Sequence, residues 1–498
     1  MTDVTRQHED AALAALAQGR FGEARAHLDA ALDVGRARGD RPAQGHALLG
    51  LAEIAVAEDR YADAEALLEE ALAAHRASDD PRGVADAVAA LGDVARLRGD
   101  YGAALILLEQ AKESYRVSGD GDREAGVLTG LAEVARLQGR LGEAVALLEE
   151  ALPRQRASGD RVAAAATIRA LGDVAIRQGR HDDAAAALAE ALTAYRSLGN
   201  RLGEAAVLAR LADLSRLQAR YAEAVDLLED ALPIQRDLGD RRGEAGSLHR
   251  LAMVAIRQGR HADATYLLEQ ALPIQRDIGD RRGEATTLTS LADVARLQGR
   301  YADAHALLDQ ALPIHQAIGN RHGEATTLTA LADVAGLQGR PDEAAALLDR
   351  ALPVHRAIGN RLGEANTLQR LADVARHGRQ YAEAGRLLDQ ALPIHRAIAN
   401  RLGEANTLHG LAEIARVEGR LEETRARLDE ALPIYRGLGN RFGEASALLC
   451  SARTRGAVGD VPGARADYLS AERLFRTVAP AWAESAAAEA ATLPTAPD

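Results

Sequence analysis

Apolar and polar positions alternate along this chain with one dominant spacing. In the stretch from residue 281, Leu288, Leu291, Ala292 and Ala295 recur three and four residues apart, the stripe of a helix packed on one side. Gly299 predicts its end, because the residue just past a helix often adopts a left-handed conformation that glycine takes without steric cost. Tyr301 opens a second helix with an inward stripe of Ala304, Leu308, Ala311 and Leu312, and Gly319-Asn320 closes it. Acidic Glu284 and Asp303 sit in the first turns, where they complement the helix dipole. Connections of about two to three residues make neighbouring helices antiparallel.

The pair then repeats. Residues 271–310 recur as 311–350, and the same 40-residue step carries alanine from Ala31 to Ala471 and Asp or Asn from Asp40 to Asn440. A strict period of this size means a solenoid in which each unit buries its apolar face against its neighbours. Counting a degenerate first helix near residues 5–18, the chain should hold about twelve helix pairs. The expected organisation is one array over 1–478, an Ala-rich capping helix over 479–492 and a disordered tail over 493–498. Pro153, Pro233, Pro273, Pro313, Pro353, Pro393 and Pro433 fall inside second helices. There a proline removes a backbone hydrogen bond, so a kink is expected, with a break as the alternative.

Composition narrows the function. Formal charge is 60 − 73 = −13, which argues against wrapping nucleic acid. Cys450 is the only cysteine, so there is no disulfide framework and no cysteine-rich zinc site, and a reducing compartment fits. The polar start is no secretory signal, and no run of about 18 apolar residues is available to span a membrane. A cytoplasmic location is the resulting expectation. Arg almost wholly replaces Lys, with Lys112 the sole exception; with abundant Ala this suggests a GC-rich bacterial gene.

The series from Leu288-x-x-Leu291-Ala292-x-x-Ala295 through Gly299-x-Tyr301-x-x-Ala304 to Leu308-x-x-Ala311-Leu312 resembles the tetratricopeptide repeat, and Leu91-Gly92 and Leu171-Gly172 carry that family's Leu-Gly pair. The period is 40 residues rather than the usual 34. Leu stands where Trp is usual, and Ala295 where an aromatic residue is common. The version is similar to arrays found beside ATPase and regulator domains in bacterial signalling proteins. The resemblance covers nearly the whole chain. It implies an all-α, right-handed α-solenoid, or superhelix, that binds a protein or extended peptide in its concave groove.

No catalytic motif is present. There is no phosphate-cradling loop ending in Gly-Lys, no His-Glu-x-x-His, no Cys-x-x-Cys and no Gly-x-Ser-x-Gly. His315, His355 and His395 form one column. Ligands on one metal lie about 2 Å from it, whereas these histidines are a helix pair apart, so they read as half-buried structural residues. No catalytic residue, metal or cofactor is therefore expected. An enzyme of specialised metabolism with a site inside the groove is the alternative.

In the family, first helices line the groove. That phase turns inward the columns of Thr286, Thr289, Asp293 and Arg296, with acids such as Asp93, Glu133, Asp213, Asp373 and Glu413 three residues before Arg96, Arg136, Arg216, Arg376 and Arg416. The columns make either a ladder of intrahelical ion pairs or a polar groove for a peptide. Two regions depart from the template. In the late repeats Asn366, Gln369, Arg370, Asn406 and His409 face inward, and carboxamides can donate to and accept from a peptide backbone at once. In the middle repeats Arg169, Arg177, Arg210, His249, Arg250 and Arg257 gather around Met253. That combination predicts an anchor for an acidic segment or a free C-terminal carboxylate, with no nucleic acid or membrane as partner.

Overall fold

The structure is a computed structural model that describes residues 3–17, 20–58 and 60–494. Among the described residues there are 25 α-helices and no strand. They follow as antiparallel pairs, from α1 (Asp3–Ala17) and α2 (Phe21–Arg38) to α23 (Arg441–Ala457) and α24 (Val461–Val478), and α25 (Pro480–Ala491) comes last. Of the segment read as an unordered tail, Leu493 packs against the cluster of Tyr468, Phe475 and Ala483, and Arg465 donates to the Pro494 carbonyl at 3.2 Å. Residues 495–498 lie outside the described residues.

The forty-residue columns are local chemistry. Asp280 caps α15 (Arg281–Leu297) by accepting from the Gly283 amide at 2.8 Å, and Asn360 caps α19 (Arg361–His377) on Gly363 at 2.9 Å. Most second helices lack such a cap, the exceptions being those that Asp100 and Asp460 begin. Arg300, ahead of α16 (Tyr301–Ala317), instead bridges Gln298 at 2.6 Å and Asp303 at 3.0 Å. Glu284 is buried at the start of α15, where Arg276 from the preceding helix donates to it at 2.8 Å. The same bond recurs forty-residue steps away, for example between Arg396 and Glu404 at 2.9 Å.

The helices run unbroken through all seven interior prolines. Each proline faces solvent, so the carbonyl left without its amide partner is available to water. That placement removes most of the penalty a buried proline would carry.

His315, His355 and His395 are buried, and each Nδ1 accepts from the Asn five residues on, at 3.1, 3.2 and 3.0 Å. Each ring packs against a glycine of the next helix. A Cβ on Gly363 would stand 2.3 Å from His355 Nδ1. Gly363→Ala should therefore destabilise the array by about 1–3 kcal/mol through overpacking, more than the roughly 1 kcal/mol gained in helix propensity. Urea unfolding checks this, and the cost should shrink in a His355→Ala background, where Asn360 Nδ2 at 2.7 Å still meets the new Cβ.

The chain divides into two compact units, residues 1–334 and 335–498. Within the first unit, elements about five repeats apart touch. Arg242 of α13 (Arg241–Arg257) donates at 3.0 Å to the Ala57 carbonyl that ends α3 (Arg41–Ala57). Arg282 of α15 donates to the Leu97 carbonyl near the end of α5 (Pro81–Arg98), and its guanidinium carbon lies 5.5 Å from the centroid of the Tyr61 ring. Ile318 joins the apolar cluster of Tyr61, Leu68 and Val94. Arginines thus meet C-terminal helix carbonyls, the end of the dipole that favours cations. The second unit is built on α18 (Pro341–Ala357) to α25.

Candidate functional site

In the second unit three first helices, α19, α21 (Arg401–Val417) and α23, stand side by side. Residues i, i+3 and i+4 share a helix face, so the departures from the template fall on one wall. Asn366, Gln369 and Arg370 come from α19, Asn406, His409 and Glu413 from α21, and Phe442, Ser446 and Arg453 from α23. With Trp482 of α25 they surround a cavity of about 820 Å³. All five late-repeat residues singled out from the sequence therefore line one space.

The wall combines amides, charges and an aromatic edge. Gln369 Nε2 donates to the Gly403 carbonyl at 3.1 Å and to Thr407 Oγ1 at 2.6 Å, which ties α19 to α21. Asn406 Oδ1 accepts from the buried Tyr435 hydroxyl at 2.9 Å, which leaves its amide donors. Phe442 and Trp482 are 46% and 51% exposed, and their rings meet edge to face with centroids 6.2 Å apart. Arg453 makes a two-pronged pair with Glu489 of α25 at 2.8 and 2.6 Å, and Tyr468 donates to the same carboxylate at 3.2 Å. The capping helix is thereby fixed over the cavity's edge.

Charges on the floor are partly matched. Arg376 lies 3.3 Å from Asp373 and Arg416 lies 3.2 Å from Glu413. Burial works against ionisation of Glu413, yet Arg416 and His409 hold its carboxyl below the usual range. Burial lowers the His409 pKa and pushes the Cys450 thiol up, with Glu413 reinforcing the latter. His409, Glu413 and Cys450 present ligand atoms all within 4.8 Å of one another. A second such group is His46, His75 and Asp80, and His75 and Asp80 line a cavity of about 900 Å³ of their own. There His75 Nε2 abuts Gly45 so closely that a Cβ would stand 2.3 Å away.

The middle residues are arranged differently. Arg169 lies 3.8 Å from Asp173, Arg210 3.4 Å from Asp173 and 3.5 Å from Asp213, and Arg250 3.1 Å from Asp213. The ladder therefore runs between neighbouring repeats as well as within helices. Pairs three residues apart also form, as at Asp93–Arg96 and Asp293–Arg296, at 3.1 and 2.6 Å. Met253 takes the place of an acid, and Arg250 reaches back to Asp213 on the preceding first helix. His249 is half-buried, with its pKa lowered to about 4 by burial and by Arg250. Arg177 and Arg257 are exposed.

Sequence reasoning missed Phe442, Trp482, Arg453 and the pairing of Cys450 with Glu413. The first and third were detectable as departures: Phe442 follows Leu362 and Leu402 in its column, and Arg453 replaces the acids Asp373 and Glu413.

No curated protein matches the chain. Among solved structures, a Signal Transduction ATPase with Numerous Domains with a tetratricopeptide repeat sensor, from Pyrococcus horikoshii, is 16% identical with a TM-score of 0.49. The match covers 77% of this chain and 55% of that one, so the chain spans little more than half of that protein. The quorum sensor NprR from B. thuringiensis is 16% identical over 72% of this chain and 99% of its own, with a TM-score of 0.49. A kinesin light chain-like repeat protein from Podosopora anserina is 24% identical over 39% of this chain and 94% of its own, with a TM-score of 0.33. The tetratricopeptide repeat family matches residues 7–77, 83–157, 161–237, 243–317, 307–357, 323–397 and 363–437. The chain belongs to the tetratricopeptide repeat family.

Proposed function

We propose that the chain is a non-catalytic binding scaffold whose late-repeat cavity receives a segment of a partner protein or an extended peptide. The observation that carries this reading is the convergence of Asn366, Gln369, Arg370, Asn406 and His409 on one cavity edged by Phe442 and Trp482. Amides can satisfy a peptide backbone, half-exposed aromatic rings supply an apolar seat, and arginines suit an acidic side chain or a terminal carboxylate. No observation favours the enzymatic alternative. A role in bacterial signalling belongs to the same reading and rests on the resemblance alone. The middle arginines are a second candidate anchor for an acidic group, which would have to exchange with Asp173 and Asp213.

A displayed library of random peptides panned against the full chain tests the reading. Asn366→Ala should weaken a selected peptide by about 0.5–1.5 kcal/mol, and Trp482→Ala by about 2 kcal/mol. Urea midpoints should hardly move for Asn366→Ala. Asn406→Ala is a poorer probe, because it strands the buried Tyr435 hydroxyl and should cost about 1–3 kcal/mol of stability by itself. If both cavity variants bind normally while Arg177→Glu/Arg210→Glu/Arg250→Glu abolishes binding, the anchor lies in the middle repeats instead.

A further inference from the structure

We propose that His409, Glu413 and Cys450 form a site for a thiophilic divalent transition metal, zinc by preference, in the floor of the late-repeat cavity. This inference goes beyond the peptide-binding reading and stands without it.

The donors converge for a simple reason. His409 and Glu413 are four residues apart on α21, so they share a face one turn apart. Cys450 reaches the same point from α23. The three ligand atoms lie within 4.8 Å of one another, and His409 Nε2 is 4.0 Å from Glu413 Oε1 without a bond between them. Donors about 2.0–2.3 Å from a tetrahedral ion stand about 3.5 Å apart, so an adjustment of about an ångström closes the set.

His409 Nε2 supplies an independent observation. It is buried and has no hydrogen-bond partner, a condition that a bound ion would resolve. With the ring proton on Nδ1, the unpartnered Nε2 lone pair is available to an ion, 4.0 Å from Glu413 Oε1.

The donor set selects the class of ion. Thiolate, imidazole and carboxylate together suit zinc or its neighbours, whereas magnesium and calcium require oxygen donors. Three protein ligands leave a fourth position open, and His409 and Glu413 line the cavity through which it would be reached. As the sulfur–metal bond forms, the thiol proton passes to solvent. Arg416 stands beside the carboxylate at 3.2 Å on its other oxygen, and its charge favours both anionic donors. Arg376 and Arg453 add positive charge nearby, but Asp373 and Glu489 pair with them.

The combination occurs once in the array. Elsewhere the acid has no such partners: for Asp333, Thr329 holds the register of His409 and Arg370 that of Cys450. His249 comes nearest, but Met253 stands four residues on and Ser290 takes the cysteine's register.

Cobalt alone is the probe, titrated into reduced, untagged full-length protein. Because Cys450 is the only cysteine, a thiolate-to-cobalt charge-transfer absorption reports this site and no surface histidine. One equivalent per chain should develop the band, and zinc should erase it by displacement. Cys450→Ala and His409→Thr install residues the array already carries at those registers, at Ala330 and Thr329, so both variants should keep the wild-type circular dichroism. Cys450→Ala should lose the band, and His409→Thr should weaken cobalt binding at least tenfold. Absence of the band at one equivalent, or undiminished cobalt affinity in Cys450→Ala, would overturn the proposal. Neither result depends on whether a peptide binds.

Discussion

Deleting residues 281–320 should leave a folded chain one helix pair shorter, whereas deleting residues 281–300 should unfold a large part of it. The longer deletion joins Asp280 to Arg321, so Asp280 caps on Gly323 as it now caps on Gly283 at 2.8 Å. Gln275 then meets Gly323, and His322 takes the place of Arg282 beside Leu97. That last exchange removes one arginine–carbonyl contact, while the Arg242 contact with Ala57 is retained. The shorter deletion removes α15 alone, including buried Leu288, Leu291 and Val294. At about 1.5–3 kcal/mol for each large side chain, the loss is on the order of 5–10 kcal/mol. It also sets two second helices side by side and reverses the polarity of everything that follows. Nearest-neighbour stability predicts tolerance of the first change and failure of the second. Circular dichroism and limited proteolysis separate the outcomes: equal ellipticity per residue in both variants would contradict the argument.

Much of the fold was legible because every decisive contact in an array is short in sequence. Leu288 and Leu291 meet partners within one or two helices, and Asp280 caps three residues away. The prolines left kink and break open, since the choice depends on which way a helix faces, and all seven face water. The contact of Arg242 with Ala57 was invisible. It depends on small rotations summed over five repeats, and nothing in the identity of Arg242 signals it. The cavity was half legible. Its amides stood out as departures from a copied template, but the approach of Cys450 to His409 and Glu413 depends on the offset between neighbouring first helices. That same offset carries Arg210 to Asp173, 37 residues away, where periodicity suggested only pairs three residues apart.

Acidification should weaken the first unit at His315. Burial, and after it the charges of Arg282 and His322, lower this histidine's pKa from 6.5 to about 4. Its Nδ1 accepts from Asn320 at 3.1 Å, so the folded state needs the neutral ring. The sign follows directly. Above pH 6.5 neither state holds the proton and stability is whole. As pH falls below 6.5 the unfolded chain takes up a proton that the folded chain refuses until about pH 4. Stability is therefore lost across that window, by about 3 kcal/mol in total. His249, also held at about 4, adds its own share. Gln235 and Gln275 occupy the same column as His315 and do not titrate, so His315→Gln should keep the packing and remove this loss. Urea unfolding at pH 7 and about pH 4.5, with hydrogen exchange followed in α16, should show the wild type losing more than the variant. Arg282 also bonds the Leu97 carbonyl, so a charged His315 would press on an arginine that joins distant repeats. Protection near Leu97 should fall with that of α16, and equal acid sensitivity in His315→Gln would remove the histidine from the account.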